Sequence, residues 1–253
     1  MREFWENQAL KYKEDVMAVN FDPLGEDLEL FFLEKHFQDG EKVCDIGCGN
    51  GRTILHLARQ KKDTEFFGVD FAEGMIDIAN SSKKAEGVDN VHFMRVDATD
   101  DLKSIFDFKF DKVMTKRLLI NIKGPEKFKA VENIGGMLKD RGIYIMTECF
   151  MEPLQRINEI RKQLSLDEIT VKHFNEYLSA DFLREINGSF EVEETIDFQS
   201  LYYFVSRVFN AALSEGNPDY HAPMNMLALD LIKKGINPIK GYSPEVMHIL
   251  RKK

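Results

Sequence analysis

An α/β fold, a seven-stranded, doubly wound and mostly parallel sheet with helical additions, is what this chain of 253 residues predicts. Three observations carry it. Short apolar runs alternate with amphipathic stretches from residue 42 to residue 147. The first run ends in a glycine-rich turn that opens a helix. Beyond them, runs at 190–198 and 201–209 are joined by two residues only. A parallel pair needs a long crossover, so this pair is antiparallel and the last strand is reversed.

The elements follow in order. Trp5, Ala9, Tyr12, Val16 and Val19 recur at four- and three-residue steps and share one helical face. Asp22-Pro23 opens a second helix carrying Leu24, Leu28, Phe31 and Phe32, with proline at a first helical position. Five buried strands are expected at 42–46, 65–69, 91–96, 110–115 and 142–147, each short and rich in Val, Ile or Phe. Helices fall between them at 52–60, 72–85, 101–106 and 125–139, the last interrupted by Gly135-Gly136. Residues 151–188 read as a mostly helical insert and 189–209 as a closing hairpin. The tail, 210–253, holds four prolines among apolar stretches and is expected to be ordered only in part. With 1–40 as N-terminal helices and 41–150 as the core, the whole chain, 1–253, forms one domain.

Composition narrows the function classes. Lys+Arg number 34 against 43 Asp+Glu, a net charge of −9, which argues against general affinity for nucleic acid. No apolar stretch approaches the ~20 residues needed to span a bilayer, and the acidic N-terminus lacks a signal-peptide pattern. The odd set Cys44, Cys48 and Cys149 reads as small core and loop residues of a reduced, cytoplasmic protein. Cys44 and Cys48 lack the second Cys/His pair that structural zinc requires, so no metal is expected.

The turn Asp45-Ile46-Gly47-Cys48-Gly49-Asn50-Gly51 discriminates among ligands. Glycine at every second position lets backbone approach a ligand, and the following helix offers free N–H groups to an anion. A phosphate-binding P-loop fails twice: Arg52 replaces its lysine and Ile46 its first glycine. A dinucleotide loop wants a small third residue where Arg52 stands. The order D-x-G-x-G-x-G resembles instead that of the class I S-adenosylmethionine (SAM)-dependent methyltransferase family. Further likenesses are an acid closing the second strand (Asp70, then Phe71), an acid closing the third (Asp97-Ala98), the start Phe110-Asp111-Lys112-Val113, and the antiparallel close. Asp70 alone would serve NAD equally well.

The resemblance implies a Rossmann-like domain that binds SAM, releases S-adenosylhomocysteine and uses no metal. It puts the carboxylate end of SAM on the backbone of Gly47, Cys48, Gly49 and Gly51, with Asp45 and Lys116 beside it. Asp70 and Phe71 would meet the ribose, and Asp97 and Ala98 the adenine. Acceptor groups would come from the loops after the fourth and fifth strands and from the insert. Arg117 and Asn121 lie one turn apart if that loop coils, and Arg117 suits a phosphate or carboxylate. Glu148 could orient the acceptor, accept its proton, or cap the helix before Pro153. His173 is a second acid–base candidate, with Tyr177 nearby and His221 farther on. Tyr203 and Arg207 share a face of the expected last strand, Arg207 needing an anion or else Glu194 or Asp197 across the hairpin.

Later segments look like bacterial methyltransferases linked to surface polysaccharide or small metabolites. The implied activity is methyl transfer to oxygen of a small polar acceptor: a sugar, nucleotide sugar or related metabolite, with or without phosphate. The alternatives are an RNA or protein acceptor, or a SAM-binding regulator without turnover. The residues leave the oligomeric state open.

Overall fold

The computed structural model describes residues 2–15, 18, 22–214 and 218–253. Val16 and Val19 of the expected first helix lie outside them; the helix itself, α1, runs Arg2–Tyr12. Helix α2 (Pro23–Leu33) starts where Asp22 accepts the Gly25 N–H at 3.0 Å, with proline in its first turn. Then come β1 (Lys42–Ile46), α3 (Arg52–Gln60), β2 (Glu65–Asp70), α4 (Glu73–Glu86), β3 (Val91–Arg95) and β4 (Phe110–Lys116). Helix α5 (Glu126–Met137) tolerates Gly135-Gly136 and leads straight into β5 (Leu138–Cys149), longer than expected at its start.

The sheet order is β3-β2-β1-β4-β5-β7-β6. Neighbouring residues alternate between two cores. Val43, Met114 and Ile145 join the layer with Leu28, Ile54 and Leu229. Cys44, Val113 and Tyr144 join the opposite layer with Ala130 and Ile134. Burial on both faces explains why the strands read as continuous apolar runs.

Two expectations fail. Only the ends of 151–188 are helical: α6 (Met151–Gln163) and α7 (Asp181–Glu185), with 164–180 largely in turns and extended chain. And the hairpin of 189–209 is absent. β6 (Phe190–Ile196) is one strand, but its partner is β7 (Glu245–Lys252), within the supposed tail. Residues 201–209 instead belong to α8 (Ser200–Phe204), a π-helical turn (Val205–Asn210) and α9 (Ala211–Leu213). Asp197 starts this helix, accepting the Ser200 N–H at 3.1 Å and its hydroxyl at 2.7 Å. Helix α10 (Pro223–Lys233) follows. β7 runs antiparallel to both β5 and β6, so the last strand is reversed as expected but is built from 245–252 and not from 201–209. Among the described residues no helix is long and apolar enough to cross a membrane.

Glu148, near the end of β5, is fully buried. Its Oε1 accepts the N–H groups of Leu118 (3.0 Å) and Leu119 (2.9 Å), and Oε2 accepts that of Ile120 (3.3 Å). It ties the turn after β4 to β5. Burial pushes its carboxyl up to about 7, against the pull of those amides. Glu148→Ala strands three buried donors, so stability should fall by about 3 kcal/mol and Tm by about 6–12 °C in calorimetry. The proton adds a pH signature. The folded value lies above the unfolded one, so Glu148's contribution is full below about pH 4.5 and is lost as pH rises through 7. The stability gap between wild type and Glu148→Ala should therefore narrow from pH 5 to pH 7.

Candidate active site

A cleft of about 340 Å³ opens at the carboxyl ends of β1, β2, β4 and β5. β1 lies between β2 and β4, so the crossovers leave it in opposite directions and the loops part there. At one end the chain turns through Gly47 and Gly51, with φ of +78° and +77°. A Cβ on Gly47 would lie 2.9 Å from Leu118 Cδ1, and one on Gly51 2.7 Å from the Phe93 ring, so backbone alone fits. Asp70 locks this turn: Oδ2 accepts the Gly49 N–H at 3.0 Å and Oδ1 the Ala72 N–H at 2.9 Å. Burial raises Asp70 to about 6, with the Ala72 and Gly49 amides opposing. Asp45 is raised to about 7 by burial, with Lys116 opposing, and its buried Oδ1 has no hydrogen-bond partner.

These features fit SAM. An unpartnered carboxylate oxygen at the cleft floor suits an ammonium, and Asp70 keeps lone pairs for a ribose diol. The cleft wall includes Asp45, Gly47, Cys48, Gly49, Asp70 and Phe71 of the expected cofactor set. Lys116 lines it too, but its ammonium is spent on Glu29 (3.0 Å), Glu26 (3.1 Å) and Thr53 Oγ1 (2.8 Å). Burial opposes that charge; Glu26 and Glu29 outweigh it and hold the group above its ordinary value. Gly51 lies behind the wall. So do Asp97, which accepts the Thr99 N–H at 3.0 Å, and Ala98, whose carbonyl takes the Asn133 amide at 2.9 Å.

The acceptor end changes the expected assignments. Arg117 reaches the cleft but is not free to grip an acceptor anion. Its guanidinium binds Glu29 at 2.9 Å, Glu26 at 3.4 Å and Glu245. Asn121 is on the wall, one 3₁₀ turn on; its amide donates to the Arg117 carbonyl at 2.6 Å and accepts from Asn175 at 2.9 Å. Neither catalytic candidate lines the cleft. Glu148 is sealed beneath the 118–120 turn, and His173 stands on an exposed loop with its ring perpendicular to that of Phe174, centroids 5.2 Å apart. His221 is exposed as well. Tyr177, Tyr203 and Arg207 do line it. Tyr203 and Arg207 share a face because they are four apart on a helix, and Arg207 pairs with Asp22 at 2.8 Å, not with Glu194 or Asp197.

Sequence reasoning missed Asp22, Trp5, Phe174 and Tyr220, all on the wall. Asp22 was legible only as a helix start. Trp5 belonged to a recognised apolar face, but nothing local says that this face meets the cleft. Among the described residues, no group of three His, Cys, Asp or Glu side chains is placed to hold a metal ion.

Comparison with known proteins agrees with this geometry. Residues 37–201 match a family model described as a methyltransferase domain. A carboxy-S-adenosyl-L-methionine synthase of Nautilia profundicola is 25% identical over 160 residues, 60% of this chain and 66% of that protein. A synthase of the same name from Campylobacter lari is 32% identical over 138 residues, 53% of this chain and 56% of that protein. The chain thus spans between about half and two thirds of the length of these curated relatives. Among solved structures, coclaurine N-methyltransferase bound to N-methylheliamine and S-adenosylhomocysteine has a TM-score of 0.58 at 15% identity, over 91% of this chain and 70% of that one. That likeness is one of fold. With the glycine turn, Asp70 and the seven-stranded order in place, the family match identifies the chain as a member of the class I SAM-dependent methyltransferase family.

Proposed function

We propose that this protein transfers a methyl group from SAM to an oxygen of a small polar acceptor. The observation that carries the reading is continuity: one cleft runs from the Gly47–Asp70 floor to a wall of Tyr177 and Tyr203. SAM supplies an activated methyl on a sulfonium, so the chemistry resides in the cofactor. The chain's share is position. Asp70 and the glycine turn hold one partner, and the walls exclude water and orient the other. Alignment of this kind contributes ~7–11 kcal/mol to lowering a barrier, more than one proton transfer. With Glu148 and His173 off the wall, positioning rather than a dedicated base is the source of rate here.

The closure of Arg117 by three carboxylates weighs against a phosphate-bearing acceptor. It also weighs against formation of a carboxylated SAM, the product named for the relatives, because such a group asks for a cation not already paired. A cytoplasmic setting fits three buried, unpaired cysteines.

Release of S-adenosylhomocysteine in the presence of an acceptor tests turnover; SAM binding without release from any acceptor would favour a regulator. Asp70→Ala should weaken SAM binding by about tenfold or more in titration calorimetry, at ~1.5–3 kcal/mol per charged hydrogen bond. Unchanged affinity would sink the ribose assignment. A pH series adds an independent check. Asp70 and Asp45 hold protons up to about 6 and 7 in the free protein, and only their ionised forms serve a diol and an ammonium. SAM affinity should rise with pH from 5.5 to 7.5 and then level, with protons released on binding. A flat profile would remove both carboxylates from the site.

A further inference from the structure

Five aromatic side chains from separate parts of the chain line the cleft: Trp5 of α1, packed beside Ala72 and Met75, Phe174 and Tyr177 of the 164–180 segment, Tyr203 of α8, and Tyr220 before α10. None is fully buried, and Tyr220 is 38% exposed. Partly exposed aromatic rings are the most apolar surface a cleft can offer, and they pack best against another flat ring. The slot is held at both ends. Phe4 braces Phe174 with ring centroids 4.4 Å apart. Opposite, the Arg207 guanidinium sits 5.2 Å from the Tyr203 ring centroid and 5.1 Å from that of Tyr220.

The charges along this slot are already matched. Arg207 donates to Asp22 at 2.8 Å and to Ser206 Oγ at 3.3 Å. Asp22 also accepts the Tyr202 hydroxyl at 2.7 Å and the Gly25 amide at 3.0 Å. Arg117 is enclosed by Glu26, Glu29 and Glu245. Lys172 lies at the exposed rim, its ammonium 5.7 Å from the Phe174 ring centroid. A charged substituent deep in the slot would have to displace a partner that is already paired.

The carboxylate on this wall, Asp22, is held by Arg207, Tyr202 and Gly25 rather than turned to an acceptor as a base. Among the described residues no histidine lines the cleft. Burial pushes Tyr203 up to about 12 and Tyr177 higher still, so both stay protonated at neutral pH and neither is available to accept a proton. An aliphatic alcohol would need a base there. An aromatic hydroxyl, with a pKa near ~10 like that of tyrosine, can ionise without one.

Resting on methyl transfer from SAM as proposed above, we propose that the acceptor is an uncharged, flat aromatic compound carrying a hydroxyl group, stacked in this slot and methylated on that oxygen. The hydroxyl proton leaves to water at the rim. The oxygen then forms a bond to the methyl carbon, the carbon–sulfur bond breaks, and its electron pair stays on sulfur, giving an aryl methyl ether and S-adenosylhomocysteine.

The test measures SAM binding by calorimetry and S-adenosylhomocysteine release with catechol, 4-nitrophenol, 4-hydroxyphenyl phosphate and glucose 1-phosphate. Expected is turnover of the two phosphate-free phenols, with kcat/KM at least tenfold lower for the phosphate-bearing phenol and none for the sugar phosphate. Tyr203→Leu and Tyr220→Leu should each raise KM for catechol by about tenfold while SAM Kd stays within twofold. The pH midpoint of kcat/KM should move down with the more acidic 4-nitrophenol. Turnover of glucose 1-phosphate without the phenols, no turnover of either phenol, or a midpoint independent of the phenol's acidity would overturn the assignment while leaving SAM binding intact. Absence of SAM binding would instead overturn the methyltransferase reading itself.

Discussion

Everything at the acceptor end hangs on the ion cluster in which Arg117 and Lys116 meet Glu26, Glu29 and Glu245. It joins α2, the end of β4 and the start of β7, three segments far apart in the chain. Consecutive residues of a strand point to opposite faces, yet Lys116 and Arg117 reach the same acids. The left-handed conformation of Arg117, φ +52°, makes that possible by turning the chain as it leaves β4. Such a conformation is strained by about 1–3 kcal/mol and persists only where its surroundings over-determine it. Removing one partner of a buried pair commonly destabilises by about 3–5 kcal/mol, so the turn and the cluster hold each other in place.

From that anchor the cleft is assembled by bridges between distant segments. Glu148 draws the 118–120 amides down onto β5. Gln199 reaches Glu245 at 2.8 Å, and the Ser200 hydroxyl accepts the amides of Tyr242 and Ser243 at 2.9 and 3.0 Å. The helices between β6 and β7 are thereby bound to the start of the strand that follows them. Asp22 closes the circuit by pinning the N-terminal segment to α8 and the π-helical turn through Tyr202 and Arg207. The residues that polarity alone would nominate for chemistry are mostly these braces.

This division explains what the sequence discloses. The glycine turn and Asp70 are legible because backbone freedom and a strand-end acid at fixed spacing are local demands. The parallel strands are legible because burial on both faces leaves unbroken apolar runs. Residues 201–209 mislead because Tyr, Phe and Val favour strands, whereas Asp197 and packing by Leu201, Tyr202 and Val208 decide for helix. The true partner, 245–252, carries Val246, Met247, Ile249 and Leu250 behind Pro244, an apolar run broken by His248 and obscured by the prolines before it. Arg117, Glu148 and His173 show a further limit. Whether a charged side chain serves a ligand or a neighbour depends on pairings across the whole chain, such as Arg117 with Glu245, and no local pattern records them.

The N-terminal helix stands apart from both large cores. Its Ala9 packs with Ala18, Ala72 and Met75 in a small cluster of its own. Glu6 caps α4 by accepting the amides of Glu73 and Gly74, both at 2.9 Å, and Asn50 of the glycine turn bonds the carbonyls of Lys13 and Asp15. Phe4 adds a ring contact to Phe174, so α1 is attached to α4, to the glycine turn and to the 164–180 segment at once. Because Trp5 walls the cleft, the same helix that braces α4 and the glycine turn also supplies part of the surface a ligand meets.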